Sequence, residues 1–443
     1  MPDGSPPPPR DAAAQPLPPF AEALRVWLRI GLLSFGGPAA QIALMHREVV
    51  EERRWISERR FLQALNFCML LPGPEAQQLA TYLGWLMHGV KGGLAAGLLF
   101  ILPGALVMLA LSGIYLAFGA VAPVAALFFG LKCAVLALVL EALLRVARRA
   151  LAGGFAWAVA AAAFVALFVF AVPFPLVVLA ALALGFALPA AFGAGGHAGG
   201  AGAAAADAAF AADPALAARR AAGARRAGLV ALALWLWPVA LLADAGLWGD
   251  LAWFFSKMAV VTFGGAYAVL AYVAQEAVEA RGWLSAAEML AGLGLAETTP
   301  GPLILVLQFV GTLAGAREAG AGGALVGAAI VLWVTFVPCF AWIFLGAPFV
   351  ERAERVARLR GALAAVTAAV VGVIANLALW FALRVLFAEQ APAGIGALSV
   401  PVGASLDVAA LSLALFAAAL LFGARLGLLR TLGLTASAGL LLR

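Results

Sequence analysis

The sequence predicts an all-α polytopic membrane protein made of two inverted homologous repeats with broken or re-entrant helices. Three observations carry that reading. Of the 443 residues, 65% are hydrophobic and 11% charged, whereas a soluble domain carries about 25% charged residues. Apolar runs of roughly 20 residues, enough to cross a bilayer as a helix, recur along nearly the whole length. One block of sequence, interrupted twice by Gly and Pro, occurs twice. The alternation in steps of two that a membrane barrel requires is absent.

Taken in order, residues 1–19 (MPDGSPPPPRDAAAQPLPP) form a disordered Pro-rich tail without the apolar core of a signal peptide. A first repeat follows over 20–192. An Ala/Gly-rich linker over 193–228 carries Arg219, Arg220, Arg225 and Arg226. A connecting transmembrane helix over 229–248 leads to the second repeat, 249–443. The expected apolar segments are 20–45, 61–87, 93–118, 125–144, 153–172, 176–192, 229–243, 251–274, 289–314, 321–346, 361–383 and 405–422. Cys68, Cys133 and Cys339 each sit alone in an apolar run and read as packing residues. His46, His88 and His197 have no partner at metal-ligand spacing, so neither a metal nor a cofactor is expected. Only three of the 28 basic residues are lysine. Arginines beside apolar segments read as cytoplasmic anchors facing anionic lipid, and with no soluble domain to carry it a nucleic-acid surface is not expected.

Residues 34–74 align without a gap on 262–302, at a constant offset of 228. Phe35-Gly36-Gly37 matches Phe263-Gly264-Gly265, Glu48 matches Glu276, and Trp55 matches Trp283. Pro72-Gly73-Pro74 matches Pro300-Gly301-Pro302. Chance agreement in Ala/Leu-rich sequence would match Ala and Leu, so these identities mark a duplication. An odd number of crossings separates the copies, which makes them inverted. If the four motif-bearing segments each dip in and return, the arginines of loop 46–60 (Arg47, Arg53, Arg54, Arg59, Arg60) join the basic side. Hairpins are therefore favoured over straight crossings. The loop at 119–124 is uncharged, whereas its counterpart near 351–360 carries Arg352, Arg355, Arg358 and Arg360. The N-terminus, linker and C-terminus are expected in the cytoplasm.

Inverted repeats with broken helices are the signature of secondary transporters, whose sites lie where the repeats meet. A helix that starts after Pro-Gly-Pro exposes backbone N–H groups and a partial positive charge, and two such ends brought together suit an anion. The candidate binding residues are Phe35, Gly36, Gly37, Pro38, Pro72, Gly73, Pro74, Phe263, Gly264, Gly265, Pro300, Gly301 and Pro302. Gln77, Thr298, Thr299 and Lys132 join them as polar groups near the breaks. The alternative is that the breaks are packing kinks. Glu75 and Glu297 lie on opposite sides of their breaks, and an ionised carboxylate at that depth is costly. Both are candidates for proton coupling; the competing role is capping a neighbouring half-helix. Lys257 reads as an interfacial residue, and Arg25 and Arg29 as interfacial or as lining an anion entrance. The pairs Glu48/Arg53 and Glu276/Arg281 beside Trp55 and Trp283 read as anchors.

At this point the motifs are specific. LRIGLLSFGGPAAQIALMHREVVEERRWISERRF with LLPGPEAQQLATYLGW, and FSKMAVVTFGGAYAVLAYVAQEAVEARGWLS with AETTPGPL, resemble the chromate transporter family in its long two-domain form, over residues 20–440. The resemblance implies an inner-membrane protein of two antiparallel halves that expels chromate with the proton-motive force and confers chromate resistance. It implies sulfate, of the same tetrahedral shape, as a competitor, with protons and lipid as the other partners and a homodimer as an open assembly. One departure is Ala266 where the first copy has Pro38. The residues alone reach only an anion carrier; a transporter of sulfate or another oxyanion, or a passive anion channel of the same fold, stays open. An enzyme is not expected, because HExxH, GxSxG and GxxxxGK[ST] are all absent from the sequence.

Overall fold

The computed structural model describes residues 17–192, 214–263, 266–347, 356–392 and 399–442. Gly264, Gly265, Arg352, Arg355, residues 1–16 of the tail and 193–213 of the linker lie outside the described residues. The first copy comprises α1 (Phe20–Leu33), α2 (Gly37–His46) continued by a π-helical turn (Arg47–Glu52), and α3 (Glu58–Leu70). Beyond Pro72-Gly73-Pro74 come α4 (Glu75–Phe118), α5 (Ala122–Ala150), α6 (Gly154–Phe168) and α7 (Phe174–Ala187). Helix α8 (Pro214–Leu241) leads to the second copy. There α9 (Leu247–Val261), α10 (Ala266–Gln275), a π-helical turn (Glu276–Ala280) and α11 (Ala286–Thr298) repeat the first four elements. A 3-10 turn (Leu303–Leu305), α12 (Val306–Gly346) and α13 (Ala357–Leu386) follow. A short antiparallel hairpin, β1 (Gln390–Pro392) and β2 (Ser399–Pro401), pairs Ala391 with Val400. Helices α14 (Val408–Ala418) and α15 (Leu428–Leu442) close the chain.

Among the described residues, five helical stretches are long and apolar enough to cross a membrane: Glu75–Phe118, Ala122–Ala150, Arg219–Leu241, Leu303–Gly346 and Ala357–Leu386. Their outer faces are apolar. Leu106, Trp237 and Leu325 are 66%, 67% and 57% exposed, which water would penalise and lipid does not. The all-α polytopic class expected from composition is the class observed.

The chain folds back at each break. Arg29 Nε on α1 lies 3.5 Å from Glu48 Oε1 beyond α2. A straight continuation at 1.5 Å per residue would put those residues roughly 28 Å apart. In the second copy the rings of Phe254 and Tyr272, on opposite sides of the break, are 5.8 Å apart. Across the Pro-Gly-Pro breaks, Phe67 and Tyr82 approach to 6.1 Å, and Gly292 lies against Phe309.

Helices α4 and α12 also reverse, at His88-Gly89 and at Ala319-Gly320, where the backbone leaves helical angles. Each thus has a short arm (75–87 and 306–318) and a long arm (90–118 and 321–346). The arms meet on small residues. Gly84 faces the Gly92 carbonyl and Ala96; Gly315 faces the Gly323 carbonyl and Gly311 that of Gly327. Without a hydrophobic drive between helices in lipid, such close backbone packing is what holds them. The long arms run antiparallel, with Gly93 against Phe344 and Gly97 against Phe340.

The π-helical turns close alike in both copies. Trp55 N–H donates to Val49 O, and Trp283 N–H to Ala277 O, each 2.9 or 2.8 Å. Glu48, fully buried, accepts from Arg53 at 2.5 Å, and Arg53 stacks on Trp55. Arg281 lies 3.7 Å from Glu276 and over Trp283, so both expected anchor pairs form.

The expected segments end at 422, but α15 adds a further apolar helix. Its Gly439 lies against Ala126, at the start of α5. Near the other end of the α4 long arm, His88 bonds to the carbonyl of Pro18 at 2.8 Å. The two ends of the described chain therefore lie towards opposite ends of that arm. The missed helix (LLRTLGLTASAGLLL) is only 15 residues long and carries Arg430 in its first turn.

Candidate functional site at the paired breaks

The two copies are joined at their interruptions. Gly73 N–H donates to Thr262 O at 2.8 Å, and Gly301 N–H donates to Ser34 O at 2.8 Å. Gly301 is the repeat partner of Gly73, and Thr262 that of Ser34. Each Pro-Gly-Pro tip thus bonds the Phe-Gly-Gly break of the opposite copy. Gly73 and Gly301 have φ of 121° and 90°, angles open to glycine and strained for other residues. A Cβ on Gly73 would come within 2.9 Å of Cys339 Sγ, and one on Gly104 within 1.9 Å of the Pro300 carbonyl. Each tip is seated against the other copy's long arm.

These bonds consume the Gly73 and Gly301 amides. What remains for a ligand is the first turn of each following helix. α4 starts behind Pro74, and the 3-10 turn leading into α12 starts behind Pro302; neither has a side-chain cap, and such N–H groups lack intrahelical acceptors. Helix α2 starts likewise at Gly37, behind Gly36, with Pro38 in its first turn. Phe35 and Phe263 are half-buried at their breaks.

Beyond Pro302 the correspondence between copies shifts from 228 to 231, because the 3-10 turn inserts three residues. In that register Gln77 and Thr81 match Gln308 and Thr312. Both threonines donate to the carbonyl of the matching glutamine, at 3.0 and 2.7 Å. The shift also makes Val306, not Leu303, the partner of Glu75.

Four buried glutamines line the tips. Gln41 Nε2 donates to Gly301 O (2.6 Å) and Ser34 O (3.2 Å). Gln78 donates to Pro72 O (2.7 Å), Gln77 to Thr81 Oγ1 (3.0 Å) and Gln308 to Ala105 O (3.0 Å). The Oε1 atom of each is buried with no hydrogen-bond partner.

The two carboxylates have different surroundings. Glu297, buried, accepts a short hydrogen bond from Tyr267, and the Arg145 and Glu141 charges of α5 act on it. Glu75 lies against its own backbone N–H, at the start of α4 and not of a neighbouring half-helix, and its Oε2 is buried without a partner. It lines a cavity of about 140 Å³ with Cys68, Gly73, Arg149 and Thr367. Glu141, Arg145 and Arg149 follow one another at intervals of four, hence on one face of α5.

The Thr298 and Thr299 hydroxyls both donate to Leu295 O, at 2.8 and 2.6 Å. Lys132 is half-buried on α5. Lys257 reaches Tyr272 Oη at 3.4 Å and lies over the Phe254 and Tyr272 rings. His46 bonds to Glu51 and Glu58. Sequence reading missed the Ser34 and Thr262 carbonyls, although their place beside the repeated Phe-Gly-Gly was a usable signal. It also missed Tyr267, Arg149 and Thr367, which nothing in the local sequence marks.

The chain matches the model of the chromate transporter family over residues 21–186 and 249–441. It is 34% identical to a chromate transport protein of Pseudomonas aeruginosa, over 82% of each chain. It is 28% identical to a chromate transport protein of Cupriavidus metallidurans, over 86% of this chain and 88% of that one. A probable chromate transport protein of Synechococcus elongatus is also 28% identical, over 79% and 81%. No solved structure matches the chain.

Proposed function

Because the chain belongs to the chromate transporter family, we propose that it is a secondary active transporter that exports chromate across the bacterial inner membrane in exchange for protons. The observation that carries this reading is the reciprocal bonding of Gly73 to Thr262 and of Gly301 to Ser34. It supports a single shared site at mid-depth, formed by two inverted repeats, with uncapped helix starts supplying N–H groups for an oxyanion. Phe35, Gly36, Gly37, Pro38, Phe263 and the two Pro-Gly-Pro tips shape that site in this proposal. Glu75 and Glu297 carry the coupled proton.

Two half-helix hairpins per repeat enter from opposite sides, and the long arms of α4 and α12 cross between them. Charge supports the orientation. Near the end of the α4 long arm where the first copy's hairpins open stand Arg53, Arg54, Lys91 and Arg220. At the other end stand Arg281, Arg317 and Arg384, paired with Glu276, Glu288 and Glu279 as Arg53 is with Glu48. Under the positive-inside rule, the N-terminus and linker are cytoplasmic and the C-terminus lies on the opposite face.

The test is uptake of labelled chromate into sealed proteoliposomes of inverted orientation. Accumulation against the chromate gradient under an imposed pH gradient, lost with a protonophore, is expected. Flux that only follows the chromate gradient would instead make the protein a channel.

A further inference from the structure

We propose that the oxyanion is held in the cavity at the first Pro-Gly-Pro tip, on the Arg149 guanidinium, and that Glu75 takes up a proton as it enters. This rests on the reading of the chain as an oxyanion transporter and assigns the cationic ligand of that site. Glu75 stands at the start of α4 and Arg149 in the last turn of α5, yet both line the same space of about 140 Å³. That is about ten times the least space that holds one water, enough for a small tetrahedral ion.

The charges on its wall are unspent. Arg145, one turn before Arg149 on α5, is paired with Glu141. Among the described residues neither Arg149 nor Glu75 belongs to an ion pair, although they border one cavity. An acid and a guanidinium that share a cavity without touching leave room for a ligand between them. A guanidinium presents planar N–H donors that match two oxygens of an oxyanion. Arg149 is exposed, and Met69, also on the wall, is 52% exposed. Cys68 and Gly73, both buried, form the inner wall. The cavity thus leads from the surface to the tip that bonds Thr262.

Charge balance brings in the proton. With Glu75 ionised, a dianion entering the cavity sets its oxygens beside a carboxylate. With Glu75 protonated, the cavity is cationic, and the carboxyl O–H is a further donor to the anion. The groups that face Glu75 are Cys68 on α3, on which its charge acts, Arg149 on α5 and Thr367 on α13, with Cys339 on α12 beside Gly73. Thr367 gives its own proton to Leu363 O at 2.8 Å. The thiols and this hydroxyl are neutral and Arg149 is already protonated, so a proton taken up in the cavity goes to Glu75. In the second copy the matching residue is Val306, so the exchange belongs to the first copy alone.

The experiment is calorimetric titration of chromate into the purified full-length protein at about pH 8, in two buffers of different ionisation enthalpy. The difference in heat between the buffers counts the protons taken up. Uptake approaching about one proton per bound anion is expected, lost in Glu75→Gln while that variant still binds chromate. Arg149→Gln should weaken binding at least about tenfold, as loss of a charge-assisted pair does, and Arg149→Lys should recover part of it. Arg148→Gln, adjacent but off the cavity wall, should bind as the unchanged protein does. Full affinity in Arg149→Gln would overturn the proposal and make Arg149 an anchor for lipid phosphate. Equal losses in Arg148→Gln and Arg149→Gln would overturn it in favour of a diffuse basic surface. Proton uptake that persists in Glu75→Gln would place the proton on Glu297 or on the anion, against the proposal. Absence of chromate binding by the unchanged protein would overturn the function proposed above, not only this refinement.

Discussion

Arg54 and Gly282 occupy the same place in the two copies, and both have positive φ, 53° and 61°. Each follows the π-helical turn and re-aims the chain into the Trp that docks it. Only the second copy has the residue that suits this conformation. Arg54 is exposed, and a left-handed conformation costs a non-glycine residue about 1–2 kcal/mol, partly offset by the entropy glycine loses on folding. Arg54→Gly is therefore expected to stabilise the protein by up to about 1 kcal/mol, and Gly282→Arg to destabilise it similarly. Thermal unfolding in detergent measures both; an unchanged midpoint for Arg54→Gly would mean that the Arg54 side chain makes a compensating contact.

Gly73 and Gly301 are expected to tolerate no side chain. Gly73→Leu and Gly301→Leu should abolish transport while the protein still inserts, since each adds bulk at a positive φ and parts a tip from the opposite copy. The nearest atoms to a Gly73 Cβ are Gln78 Nε2 and Cys339 Sγ, both side-chain ends. Gly73→Ala combined with Cys339→Ala should then recover part of the lost transport. Gly104 faces the Pro300 backbone, so Gly104→Ala should resist any such rescue. Transport assays on membranes normalised for expression decide this.

The carboxylates give a kinetic prediction. If Glu75 and Glu297 carry the coupled proton, Glu75→Gln and Glu297→Gln should each flatten the pH dependence of chromate transport. Tyr267→Phe, which removes the hydrogen bond to Glu297, should displace the pH midpoint without abolishing transport. Identical pH profiles in all three variants would remove the carboxylates from the coupling.

Topology is open to direct labelling. In a variant lacking the buried Cys68, Cys133 and Cys339, a cysteine at Arg54 and one at Gly403 should react with impermeant thiol reagents from opposite faces. Arg54 lies where the first copy's hairpins open. Gly403 follows the β hairpin, beyond the α13 end where Arg384 pairs with Glu279. Labelling from one face would refute the inverted arrangement.

Much of the architecture was legible because its causes are local. Long apolar runs, Pro-Gly-Pro interruptions and a gapless duplicated block each act through neighbouring residues. The fold-back at the breaks followed from charge in one loop, and Arg29 beside Glu48 bears out the preference for hairpins. Helix α15 was missed because a short Gly- and Thr-containing helix is held by packing on α5, at Gly130 and Gly439, rather than by its own apolar length. The register shift after Pro302 was hidden because a 3-10 turn leaves no mark in an apolar sequence.

By itself the sequence determined the membrane class, the duplication, the four breaks and the residue types around them, since each depends on composition or on spacing along the chain. Only the tertiary structure decided that the breaks pair crosswise, that the Gly73 and Gly301 amides are spent on that pairing, and that Gln41 reaches across to the Gly301 carbonyl. Those outcomes depend on which backbone groups meet across some two hundred residues of chain, as between Gly73 and Thr262. The physical reason is that a hydrogen-bond donor finds its acceptor in space, and no local pattern records where that acceptor will be.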